Sequence, residues 1–122
     1  MNKVELTAPC GLGCFLCSCY VDKECKGCIE QKGKCGSVEN CATYNCAIEK
    51  GVRFCFECRE FPCSKLQPAA DKAASYPHNF KVYNLCRMKL VGVEAWTENE
   101  AMDIRYKYFN GKFMVGLGPV IE

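Results

Sequence analysis

Twelve of the thirteen cysteines in this 122-residue chain fall between Cys10 and Cys63. That concentration sets the chemistry open to the sequence. Cys25–Cys28 and Cys55–Cys58 have the C-x2-C spacing of metal knuckles, and Cys10 extends Cys14–Cys17 into Cys10-x3-Cys14-x2-Cys17. Thiolates so spaced can turn onto one tetrahedral ion. The candidate ligand set is Cys10, Cys14, Cys17, Cys25, Cys28, Cys35, Cys41, Cys46, Cys55, Cys58 and Cys63, with Cys19 left undecided. Zinc is the expected metal, as two or three ions, because mixed knuckle spacings suit closed four-thiolate sites. An iron–sulfur cluster is the alternative. Its strongest support, the Cys10-x3-Cys14-x2-Cys17 run, matches the spacing of radical S-adenosylmethionine enzymes, but a chain this short cannot build their barrel. The ferredoxin run C-x2-C-x2-C-x3-C-P is absent.

Disulfides explain the cysteines less well. Their number is odd, and Met1 to Pro9 has no apolar run of the kind that opens a signal peptide. No stretch approaches the roughly 18 apolar residues that span a membrane. A cytoplasmic, reducing setting follows as the expectation, and there thiols bind metal. The formal charge is +2 with thiols counted neutral. Three four-thiolate zinc sites would add −12 from sulfur and +6 from metal, leaving a mildly acidic surface. Nucleic acid is therefore not an expected partner, and Lys23, Lys26, Lys32 and Lys34 around the first knuckle are diluted by Asp22, Glu24 and Glu30. The partner left open is a protein of unknown identity.

No catalytic residue is assigned. The single histidine, His78, lies beside Pro77 with no second histidine to complete a relay. Glu57/Glu60 and Glu98/Glu100 read as solvated charges.

The elements that must position the thiols are short. Lys3 to Leu6 reads as a strand entering the tight loop Cys10-Gly11-Leu12-Gly13-Cys14, whose glycines let the backbone turn beside a metal. Phe15 to Val21 reads as a helical turn, and Asp22 to Lys34 as loop, with Gly27 suited to the knuckle turn. Ser37 is the expected N-cap of a helix from Val38 to Lys50, stopped by Gly51. On that helix Cys41 and Cys46 stand roughly 140° apart and cannot share a site unless one lies at a frayed end. Phe54, Phe56 and Phe61 flank the second knuckle as its apolar cover. Pro62-Cys63 starts another helix, and Ala69 to Ser75 is helical up to Pro77. Asn79 to Val91 is an amphipathic helix with Val82, Tyr83, Cys86 and Leu90 on the apolar face and Gly92 as C-cap. Cys86 is thus expected to be a core thiol, and Trp96 a core anchor. Asn110-Gly111 is a hairpin signal that pairs Tyr108 with Phe113 and Tyr106 with Val115. The expected fold is a small α+β domain over 1–122. It has a cysteine-rich, metal-stabilised lobe of knuckles and short helices at about 8–66, and a lobe at about 67–122 with a helix and C-terminal β-hairpin.

The run Ala8-Pro9-Cys10-Gly11-Leu12-Gly13-Cys14-Phe15-Leu16-Cys17 is followed by Cys25-x-Gly27-Cys28, by Cys41-x4-Cys46-Ala47-x-Glu49-Lys50-Gly51-Val52, and by Cys55-x2-Cys58-x2-Phe61-Pro62-Cys63. It resembles a family of small cysteine-rich prokaryotic proteins known as a domain of unknown function. The resemblance extends through Asn84-Leu85 to Gly92-x-Glu94-Ala95-Trp96; Cys19 and Cys86 lie outside the pattern and Cys35 fits it loosely. It implies a cytosolic, metal-binding protein and supplies no reaction. The reading that follows is a zinc-binding cysteine-rich module, non-enzymatic, serving structure or protein interaction. The alternatives are an iron–sulfur or metal-handling redox protein and a small metal-dependent enzyme.

Overall fold

A computed structural model describes residues 2–23, 26, 27, 29–33, 41–67, 78–114, 116 and 118–120. Cys25, Cys28, Cys35, the expected N-cap Ser37 and the expected helix from Ala69 to Ser75 lie outside these residues, as does the side chain of Cys19.

The chain begins with a single helical turn, α1 (Lys3–Leu6), where a strand was expected. Alternating Val4 and Leu6 suit a strand, but both ends of the turn are satisfied as a helix. Asn2 Oδ1 accepts from Glu5 N at 2.8 Å, and the Arg53 guanidinium donates to the carbonyls of Val4, Glu5 and Thr7 at 3.1, 3.1 and 2.7 Å. A cation at a helix C-terminus complements its exposed carbonyls. Arg53 also stacks 4.3 Å from the centre of the Phe54 ring. The next loop folds tightly. Ala8 N donates to Leu12 O, Gly11 N to Ala8 O, and Thr7 bridges to Gly13. A 3-10 turn at Cys14–Leu16 and α2 (Ser18–Val21) follow.

Helix α3 (Ala42–Glu49) starts later than the sequence suggests. Its N-cap is Cys41, whose Sγ accepts from Tyr44 N at 3.5 Å. Gly51, at φ +68, ends it, with Val52 N reaching back to Ala47 O at 3.0 Å. The second knuckle is a 3-10 turn, Cys55–Glu57, and another lies at Ser64–Leu66. Phe54 and Leu66 enter the core from these turns.

A 3-10 turn, His78–Phe80, leads into α4 (Lys81–Val91), α5 (Val93–Asn99) and α6 (Ala101–Asn110). The core joins Leu85 and Met88 of α4, Trp96 of α5 and Ala101 of α6 to Phe54 and Leu66. Helix α4 does not bury its expected face. Lys81, Asn84, Leu85 and Met88 are buried, whereas Tyr83 (53% exposed), Leu90 (74%) and Cys86 face outward. Asn84 is buried because it has work there: Nδ2 donates to Gly11 O at 2.8 Å, clasping the cysteine loop to α4. Cys86 is therefore no core thiol. Cys86→Ser is expected to change stability by less than about 0.5 kcal/mol. Urea unfolding measures this; a cost near 2 kcal/mol would place the thiol in a buried role after all.

The α+β expectation is overturned. The fold is helical, and the expected hairpin at Asn110-Gly111 is absent because α6 occupies the residues up to Asn110 that its first strand needed. Tyr106 and Tyr108 lie on that helix, which carries an Asp103–Lys107 pair one turn apart. Gly111 N closes onto Lys107 O, so Asn110-Gly111 ends a helix instead of turning a ribbon. A three-residue pairing of β1 (Lys112–Met114) with β2 (Gly118–Val120) is the extended structure that follows, too small to form a sheet layer. Arg87 of α4 grips Glu100 through two bonds at 2.7 and 3.0 Å, tying α4 to the start of α6. The guanidinium holds the Glu100 carboxyl below its usual range. What this pair adds is present at neutral pH and lost as acid protonates Glu100.

Gly11 fixes how closely the cysteine loop approaches α4. Its φ is +93, and a Cβ there would lie 2.9 Å from Lys81 O and 3.0 Å from Leu85 Cγ. Both the backbone conformation and the space exclude a side chain. Gly11→Ala is expected to cost about 2 kcal/mol or more in denaturant unfolding; a neutral result would mean the loop is not seated on α4.

Candidate thiol centre

Four thiols from three elements frame one cavity. Cys46 comes from α3, Cys55 and Cys58 from the second knuckle, and Cys63 from the residue before the Ser64–Leu66 turn. With Lys50 and Phe61 they line a space of about 210 Å³. The knuckle is held locally: Cys58 N donates to Cys55 O at 3.1 Å, and Glu57 reaches back to Phe54 N at 2.8 Å. Cys58 Sγ accepts from Glu60 N at 3.4 Å and from Lys50 Nζ at 3.5 Å, while Lys50 also pairs with Glu60. Donors aimed at sulfur stabilise a thiolate, free or metal-bound.

Two further thiols adjoin this group. Cys55 N donates to Pro9 O at 2.9 Å, which brings the Cys10 loop beside the knuckle. Burial pushes the Cys55 thiol up to about 11, and the charges of Cys63, Cys46, Cys58 and Cys41 add to that. Cys10 is pushed up to about 12, chiefly by burial, with Lys81 opposing and Cys41 and Cys55 reinforcing. The sulfurs therefore lie near enough to repel one another as anions. Protons or cations must neutralise them, and a metal that binds there must displace protons.

Cys41 and Cys46 both act on Cys55. The 140° separation expected on a helix does not apply, because Cys41 stands outside α3 as its N-cap. Cys14 and Cys17 are joined by the bond from Cys17 N to Cys14 O at 3.0 Å. Cys25, Cys28 and Cys35 fall outside the described residues. Among the described residues no three Cys, His, Asp or Glu side chains form a group that could hold a metal ion as they stand. The cavity thiols frame a space without closing on one point. Sequence reading missed Lys50 and Lys81. Lys50 was detectable, since it follows Cys46 by one helical turn and so faces the same way; Lys81 was hidden by the error in the buried face of α4.

Fold and site together define a small helical protein built around clustered cysteines, and among the described residues no helix is long and apolar enough to cross a membrane. The chain belongs to the family described as "Protein of unknown function (DUF3795)", whose model matches residues 6–68. That span holds the cysteine loop, α3 and the second knuckle, and it stops before α4. No curated protein and no solved structure matches the chain.

Proposed function

We propose that this chain is a non-enzymatic, metal-stabilised module in which Cys46, Cys55, Cys58 and Cys63 hold a zinc ion. The observation that carries the reading is the single cavity framed by those four thiols. Four sulfur donors are the complement of a closed structural zinc site, which leaves no open position for substrate. The donor set fits zinc chemically, although the side chains must draw together to bind it. Bound zinc would supply a cross-link between α3, the knuckle and the Ser64–Leu66 turn. Four thiolates around a divalent ion leave two negative charges, and Lys50 against Cys58 offsets part of that. Cys10, Cys14, Cys17, Cys25, Cys28, Cys35 and Cys41 remain for one or two further ions. Exposed Tyr83 and Leu90 on α4 and Met102 and Tyr106 on α6 support a protein partner.

Elemental analysis of protein purified without oxygen tests the metal. At least two zinc ions per chain are expected, with Cys46→Ser and Cys58→Ser each losing one and Cys86→Ser none. Less than one equivalent of any metal in the unaltered protein sinks the reading. A brown preparation containing iron and sulfide establishes the iron–sulfur alternative in its place.

A further inference from the structure

Cys58 borders two hollows. Inward it lines the thiol cavity, and outward it lines a more open recess of about 430 Å³ with Lys50, Glu57, Arg59 and Glu60. That recess is of the size that takes a small molecule. Both of its carboxylates are engaged: Glu57 accepts from Phe54 N at 2.8 Å, and Glu60 pairs with Lys50. Arg59 is exposed, and among the described residues no carboxylate pairs with it. The recess therefore offers a guanidinium to an anionic group.

Cys55 and Cys58 are placed to join one another. They stand three apart across a 3-10 turn, closed by Cys58 N onto Cys55 O at 3.1 Å. In such a turn residues i and i+3 eclipse, roughly 6 Å apart along the axis. A disulfide spans a Cα separation of about 4.4–6.8 Å. The surroundings of the two thiols differ. Cys55 packs against the apolar core. Cys58 Sγ instead accepts from Glu60 N at 3.4 Å and from Lys50 Nζ at 3.5 Å, where the two hollows meet. Hydrogen-bond donors and a cation beside sulfur favour it as the attacking group in thiol–disulfide exchange.

We propose that Cys58 is the point at which a small carboxylate-bearing disulfide modifies this chain, in a reaction that ends in a Cys55–Cys58 disulfide. The Cys58 sulfur attacks one sulfur of the reagent. A mixed disulfide forms, the reagent's S–S bond breaks, and half of the reagent leaves as a thiolate. Cys55 then attacks the Cys58 sulfur. The internal disulfide forms, the mixed disulfide breaks, and the other half leaves as a thiolate. Two electrons thus pass from the two cysteines to the reagent. The departing thiolates take the protons that the cysteines give up or, where zinc was bound, protons from water. The exchange stands on the two thiols and the recess; its consequence for metal rests on the reading that the cavity binds zinc. Sulfurs joined in a disulfide are lost as thiolate ligands, so oxidation leaves the ion with Cys46 and Cys63 alone and releases it.

The test uses the reduced full-length protein with whatever metal it carries. Glutathione disulfide is the carboxylate-bearing probe, and hydroxyethyl disulfide the uncharged one. Alkylation stops the reaction, and peptide mass mapping locates each modified cysteine. The first adduct is expected on Cys58, ahead of the exposed Cys63 and Cys86, and should give way to the Cys55–Cys58 disulfide. Cys55→Ser should trap the adduct on Cys58, and Cys58→Ser should form neither product. Arg59→Ala should slow the reaction with glutathione disulfide by on the order of tenfold and leave that with hydroxyethyl disulfide unchanged. If Cys58→Ser does not fold, mapping of the unaltered protein and the Arg59→Ala rates decide. A first adduct on Cys63 or Cys86, a Cys14–Cys17 disulfide formed first, or no effect of Arg59→Ala overturns the proposal. A zinc indicator in the same samples tests the cavity site separately. One equivalent released in step with the disulfide supports both readings. A Cys55–Cys58 disulfide formed in protein that holds no metal, or with all its zinc retained, upholds the exchange and overturns the cavity site. Zinc lost in Cys58→Ser, with no disulfide formed in the unaltered protein, overturns the exchange and leaves the cavity site standing.

Discussion

Strong chelation under reducing conditions is expected to unfold both halves of the chain together. Structural zinc can contribute on the order of 10 kcal/mol at neutral pH, comparable to the whole stability of a small domain, about 5–15 kcal/mol. The cysteine-bearing segments are short turns with little apolar surface of their own, so they cannot offset their ordering entropy unaided. From sequence alone the helix after residue 79 should keep part of its structure when metal leaves. The shared core argues otherwise. Phe54 and Leu66 pack with Leu85, Met88 and Trp96, and Gly11 is clasped by Asn84. Removing the order of the first half strips α4 of its docking surface. The one tryptophan, Trp96, is fully buried in the second half and reports on this directly. Its emission should shift to the red in step with the collapse of amide signals from Cys10 to Cys63. Acid should act as the chelator does, because the ligands must lose their protons to bind. If elemental analysis shows the metal gone while Trp96 stays buried and the amides stay dispersed, metal does not organise this fold.

Trp96→Ala is expected to cost about 3–5 kcal/mol, the range for deleting a large buried aromatic. Trp96 is 0% exposed and belongs to the core that joins α4, α5 and α6 to the knuckle. A loss of that size takes most of the stability of a small domain. Denaturant unfolding of the metal-loaded variant should show the midpoint collapsing, with metal released at lower chelator concentration than from the unaltered protein. A cost below about 1 kcal/mol would mean that metal cross-links, not the apolar core, carry the second half.

The features legible in the sequence were those set by neighbouring residues. Gly51 and Gly92 end helices because a residue at positive φ was needed just past each one. The loop from Cys10 to Cys14 turns tightly around its glycines, and Trp96 is buried simply because it is large and apolar. What escaped depends on distant partners. Lys3 to Leu6 is a helix because Arg53, far along the chain, satisfies its carbonyls. The buried face of α4 was misassigned because Asn84 is polar, and its reason for burial, the bond to Gly11 O, belongs to another segment. The hairpin failed because Asn-Gly also suits a helix end, and only the helix-forming run before it decides between the two. For the site, the spacing left open that Cys41 or Cys46 lies at a helix end, but not which, and the structure makes Cys41 the N-cap of α3.

The clasps at Arg53 and Asn84 also fix the order in which this chain can take shape as it is made. Arg53 reaches back 46 to 49 residues to hold the first turn, and Asn84 reaches back 73 to Gly11. A nascent chain emerging from the ribosome therefore carries its first cysteines uncovered until Arg53 is out, and without their seat on α4 until Asn84 follows. Contacts of such long sequence separation form slowly. The thiols of the first half thus stay uncovered while the segment that will seat them is still being synthesised.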